Sequence, residues 1–188
     1  MGKRVYCFFA IVNAPPALIS LMRELDLIRG RFNQTFKLEH AFGDSATHRA
    51  WHGPSLMRAL EGVDAEQAKA DPIGGRHTIW EIVNHCAYWV EEVDRALRGE
   101  NIFDVEAIED WPEAGGSPEE WRADLGKLAE TFDNLDRRIY GLKPEDLERK
   151  LGATFGETYF DFTFRKMLHG ISDHNVYHAG QISLLKTA

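Results

Sequence analysis

Along four long stretches of this chain, apolar side chains return every three or four positions. A chain with that period buries its stripes by packing helix on helix. In the first stretch, Leu18, Leu21, Met22, Leu25, Ile28, Phe32 and Phe36 share one face. In the second, Ile79, Ile82, Cys86, Trp89, Val93 and Leu97 do the same. In the third, Trp121, Leu125, Leu128, Phe132, Leu135 and Ile139 alternate steps of four and three, the spacing of a bundle seam. The fourth runs over residues 163–186 and closes the chain.

Start and stop signals bound these stretches. Thr78 and Glu81 make a capping box, in which the hydroxyl and the carboxylate each take up a backbone N–H that the first helical turn leaves unpaired. Ser117-Pro118-Glu119-Glu120 makes a second, with proline in the first turn where its missing N–H costs nothing. Gly99 and Gly141 end the helices that follow. A shorter helix is expected from Ser55 to Glu61, stopping at Gly62, with a helical turn near Ala65–Ala68. Gly43-Asp44-Ser45, Pro72-Ile73-Gly74-Gly75 and the stretch from Trp111 to Gly116 read as loops. Gly152 to Phe162, rich in glycine, threonine and aromatics, reads as extended. The expected class is all-α: a four-helix bundle over residues 17–188, preceded by an N-terminal extension, residues 1–16, that reads either as a short edge strand or as an added segment. The apolar run from Val5 to Val12 behind Lys3-Arg4 also has the look of a short signal-peptide core, but no small-residue cleavage site follows it.

Composition narrows the function. With 188 residues, 44% hydrophobic and 28% charged, the chain suits one folded domain. Its 30 acidic residues outweigh 22 basic ones for a net charge of −8, the wrong field for nucleic acid. No apolar run approaches the roughly 20 residues of a membrane span. The two cysteines, Cys7 and Cys86, build neither a disulfide framework nor a thiolate zinc site, which fits a reducing cytoplasm.

The eight histidines carry the chemistry. His174 and His178 are four apart, so their rings project within about 40° of each other on a helix. Phe164, Met167, Ile171, Ile182 and Leu185 fall within about 80° of His174, so the pair occupies core positions. Two imidazoles buried side by side must satisfy their lone pairs, and protonating both sets like charges against each other. A divalent cation resolves the conflict by accepting a lone pair from each ring. A hydrogen-bonded core pair is the plainer alternative. His85, at the margin of the second apolar stripe, would add a third ligand from a neighbouring helix and leave a coordination position open.

Thr78-Ile79-Trp80-Glu81-Ile82-Val83-Asn84-His85 followed by Trp89 resembles the second helix of the DinB-like (DinB/YfiT) superfamily. So do the ending Asp173-His174-Asn175-Val176-Tyr177-His178-Ala179-Gly180-Gln181-Ile182 and the segment from Trp51 to Val63. The resemblance implies a four-helix bundle holding a divalent metal, commonly nickel or zinc, on one histidine of the second helix and two of the fourth. These positions match His85, His174 and His178. It further implies a small-molecule substrate, a low-molecular-weight thiol as co-reactant, S-transferase chemistry and homodimers; the three histidines by themselves equally allow a metal-bound water and hydrolase chemistry. The first sixteen residues and the connection from Lys37 to Ala50 depart from the family pattern. The competing reading is a non-catalytic bundle that binds a metal or a small molecule.

Two further residues are candidates for catalytic work. His52 would lie level with His85 if its helix ran antiparallel to the second, as a fourth ligand or an acid–base group, or it merely bonds its own backbone. Gln181 sits about 20° from His174 on the wheel and would bond a ligand on the metal. Asp173 flanks the pair, and Glu92 lies on the His85 side of its helix. Tyr88, Trp89 and Tyr177 would line a pocket. Cys86 points about 100° from His85 and reads as a small buried residue. His40, His48, His77 and His169 fit no ligand geometry.

Overall fold

The computed structural model describes residues 16–37, 51–102, 110–151, 153–155, 158–160 and 162–188. Of the expected extension, residues 1–16, only Pro16 is among them, and it begins the first long helix; the loop at Gly43-Asp44-Ser45 lies outside them. Four long helices make the frame: α1 (Pro16–Phe36), α4 (Ile79–Leu97), α5 (Pro118–Gly141) and α6 (Phe164–Leu185). Two short helices, α2 (Leu56–Leu60) and α3 (Ala65–Lys69), join α1 to α4, and a 3-10 turn, Pro144–Glu148, follows α5. The extended stretch is an antiparallel hairpin of β1 (Ala153–Phe155) and β2 (Thr158–Phe160), with Thr154 opposite Tyr159. The fold is an all-α bundle with this small hairpin set between α5 and α6.

The starts form as the capping residues dictate. Thr78 Oγ1 accepts from the Glu81 amide at 3.2 Å while Glu81 Oε2 accepts from the Thr78 amide at 2.7 Å. Ser117 and Glu120 repeat the exchange at the head of α5. Gly99 ends α4 with φ of 89°, a backbone angle that side chains with a Cβ resist.

The helices meet through their stripes. Phe132 of α5 stacks on Phe36 and Phe32 of α1, with ring centroids 3.7 and 4.4 Å away. Burial of side chains this size stabilises the fold by roughly 1.5–3 kcal/mol each. Trp80, fully buried, tilts against Trp121 and donates its indole N–H to Asp124 at 2.6 Å. A Cβ at Gly115 would stand 2.7 Å from the Trp80 ring, so this loop closes on α4 only with glycine there. Arg29 grips Asp136 through two bonds of 2.9 and 2.7 Å, tying α1 to α5. Arg165 reaches Glu24 at 2.6 and 3.1 Å, tying α6 to α1. α4 packs on both α5 and α6. Among the described residues no helix is long and apolar enough to cross a membrane.

Candidate metal centre

The facing parts of α4 and α6 carry His85, His174 and His178, and the packing turns all three rings inward. One ligand atom from each lies within 4.8 Å of the other two. The Nε2 of His174 is 3.0 Å from the Nε2 of His85 and 3.0 Å from the Nε2 of His178. His85 and His178 are buried, and His174 is half-buried.

The outer nitrogens decide which way the inner ones face. His85 Nδ1 lies 2.7 Å from the backbone carbonyl of Asp110 and 3.0 Å from its carboxylate Oδ1. Both are acceptors, so Nδ1 carries the proton and Nε2 presents a lone pair. His178 Nδ1 lies 2.6 Å from the side-chain carbonyl of Gln181, with the same result. The Gln181 amide in turn donates to the Tyr177 hydroxyl at 3.1 Å. Two lone pairs therefore point at His174 Nε2, which can supply one proton at most. A cation accepts from all three nitrogens at once. An ion held about 2.0–2.1 Å from each ring nitrogen sets neighbouring nitrogens about 2.9 Å apart at octahedral angles and about 3.3 Å at tetrahedral ones. The two observed separations fall in this range, so the residues fit a metal.

Electrostatics keeps the rings neutral, the form that donates to a metal. Burial, with the neighbouring His178 and His85, pulls His174 down to about 3. Burial and His85 pull His178 down to about 4, against the opposing bond to Gln181. His85 is also lowered by burial, and its bond to Asp110 resists.

The surrounding ring contacts hold His85 in place. Trp111 is sandwiched between His85 and His77, with centroids 3.8 and 3.5 Å away and planes within 9° of parallel. The Trp89 indole N–H donates to Asp110 Oδ1, so the residue that orients His85 is itself anchored to α4.

The other candidates fall elsewhere. His52 is exposed and stands outside the three-histidine group among the described residues. Partial burial and the positive charge of Arg31 lower its pKa. Gln181 does not reach across to the inner face: its carbonyl is occupied by the outer nitrogen of His178. Asp173 is exposed and pairs with Arg31. Glu92 is buried but accepts from Arg95 at 2.6 Å. Cys86 is fully buried, which pushes its thiol far up and leaves it inert. Sequence reading missed Asp110 and Trp111, because both lie outside any helix and carry no periodicity. The usable signal was an Asp-Trp-Pro step, Asp110-Trp111-Pro112, in a stretch otherwise made of turn residues.

No curated protein and no solved structure matches the chain. The family model described as the DinB superfamily matches it over residues 46–182, a span that runs through α2 to α6 and takes in all three histidines. That match covers well over half of the chain, and the chain belongs to the DinB superfamily.

Proposed function

We propose that His85, His174 and His178 hold one divalent cation, zinc or nickel, and that the protein is a metal-dependent enzyme acting on a small molecule by thiol transfer, with hydrolysis as the related alternative. One observation carries this reading: three Nε2 atoms converge, two of them with their tautomers fixed as lone-pair donors by Asp110 and Gln181. A bound divalent cation supplies Lewis acidity, lowering the pKa of a thiol or a water beside it. Three protein ligands leave room in the coordination sphere, which suits catalysis better than a purely structural site. Asp110 and Gln181 hold the ligand rings in register, so binding requires little rearrangement. A cavity walled partly by His174 adjoins the histidines and gives a second reactant a place to lie, which favours an enzyme over a passive metal-binding bundle.

The test is conjugation of low-molecular-weight thiols to a panel of activated electrophiles, run beside hydrolysis of activated esters. Zinc- and nickel-loaded protein are compared with metal-free protein and with His178→Ala. Metal-dependent thiol consumption that His178→Ala abolishes supports the proposal. Equal turnover with and without metal contradicts it.

A further inference from the structure

The cavity beside the histidines is almost wholly apolar, with the Lys166 side chain at its rim. It has a volume of about 250 Å³ and is open to solvent. Trp89, Val93 and Ile102 wall one side, and Leu151 and Phe162, flanking the hairpin, wall another. The floor is α6, where Lys166, Gly170 and His174 follow one another at steps of four along a single ridge. Eight residues at 1.5 Å each place Lys166 and His174 about 12 Å apart along that floor. His174 thus closes one end and Lys166 the other, with apolar surface between.

Among the described residues, Lys166 is the one lining residue with a formal charge. Its ammonium sits 4.3 Å from the centre of the Phe162 ring, which holds it at the mouth, and no carboxylate among the described residues pairs with it. Gly170, midway along the floor, is a costly residue in the interior of a helix, worth about 0.8–1.0 kcal/mol against alanine. Nothing stands within 4 Å of where its Cβ would be, so packing within the chain does not demand it. Its effect is to keep the middle of the floor open. An apolar cavity of about 150 Å³ accepts benzene, so this one holds an aryl ring or a medium-length alkyl chain with room for a terminal group.

We propose that the cavity binds a small molecule with an apolar body about 10 Å long and an anionic end that meets Lys166. This sets the substrate class for the activity proposed above, and rests on it in placing the opposite, reacting end of the molecule at His174. The apolar walls supply the affinity, Gly170 the clearance and Lys166 the polarity of insertion.

Titration calorimetry of metal-free protein with octanoate and with 1-octanol, in wild type and two variants, tests this without any turnover. Wild type binds one octanoate per chain, about tenfold more tightly than the neutral alcohol. Lys166→Glu erases that preference and leaves the alcohol unchanged. Gly170→Leu, whose side chain grows into the cavity from a helix it does not weaken, abolishes binding of both while the circular dichroism and melting remain those of a folded bundle. Octanoate binding that survives Gly170→Leu, or a preference that survives Lys166→Glu, overturns the proposal. Because the ligand is titrated without metal, the two readings fail separately: a protein that takes no metal but binds octanoate as described refutes only the metal centre, and one that loads metal but ignores octanoate refutes only the cavity.

Discussion

His85 and Asp110 are joined twice, for the Nδ1–H of the ring faces both the backbone carbonyl and the carboxylate of the same residue, at 2.7 and 3.0 Å. His178 has a single described partner on that side, the Gln181 carbonyl at 2.6 Å. Removing an outer partner of a ligating histidine typically lowers metal affinity 10- to 100-fold, about 1.4–2.7 kcal/mol. Gln181→Leu therefore falls in that range. Asp110→Ala loses its carboxylate but keeps its carbonyl, so it weakens binding by about tenfold or less. Competition against a chromophoric chelator measures both, and a larger loss in Asp110→Ala than in Gln181→Leu would refute this assignment of roles.

Metal binding adds to a fold that already has its core. At a free metal concentration of 100 times Kd the linkage gain is about 2.7 kcal/mol. For a domain of this size that raises Tm by about 5–10 °C. Stripping the protein with a chelator lowers Tm by that amount and leaves the helical circular dichroism intact. Complete unfolding on chelation would show that the bundle depends on the ion.

The depressed pKa values set a pH dependence for the metal-free protein. His174 at about 3 and His178 at about 4 stay neutral in the fold, whereas an unfolded chain protonates them near the ordinary 6.5. Between these limits the unfolded state binds more protons, so stability falls as pH drops from 6.5 toward 4 and levels off below 3. Above 6.5 the two groups contribute no slope. Urea unfolding of metal-free protein at pH 7.5 and pH 5 reads the loss, and the double variant His174→Ala/His178→Ala shows a shallower one. An equal pH slope in the double variant would contradict the burial argument.

Phe132 tests whether the bundle and the centre are separable. Its ring is stacked on Phe36 and Phe32 and is 1% exposed, so Phe132→Ala costs about 3–5 kcal/mol. It touches none of the three histidines. Denaturant unfolding registers the full cost, while metal stoichiometry in native buffer stays that of wild type. Loss of metal from a protein that remains helical would show that α1 and α5 position the site, contrary to the contacts described.

What the sequence made legible follows from periodicity. The stripes of α4, α5 and α6 and the capping boxes at Thr78 and Ser117 are local signals, and each helix begins and ends within a residue or two of them. The inward turn of His174 and His178 was legible for the same reason, since an i, i+4 pair among core positions has only one face to occupy. The supports of the centre were not. Asp110 orients His85 from 25 positions away through a carbonyl that every residue possesses, and Trp111 acts by stacking from outside the helix between His77 and His85, near the head of α4. His52 shows the converse failure: its spacing from the short helix permitted a ligand, but the backbone leaves it exposed outside the group. The bond from the outer nitrogen of His178 to Gln181 was not legible either, because a wheel angle fixes direction but not which group lies within reach.

The most direct measurement is elemental analysis of the protein purified without added metal and then loaded and desalted, beside His174→Ala treated in the same way. The account predicts about one zinc or nickel per wild-type chain and a near-complete loss in the variant, with both proteins equally helical. Equal metal content in the two, or none in wild type after loading, would contradict it.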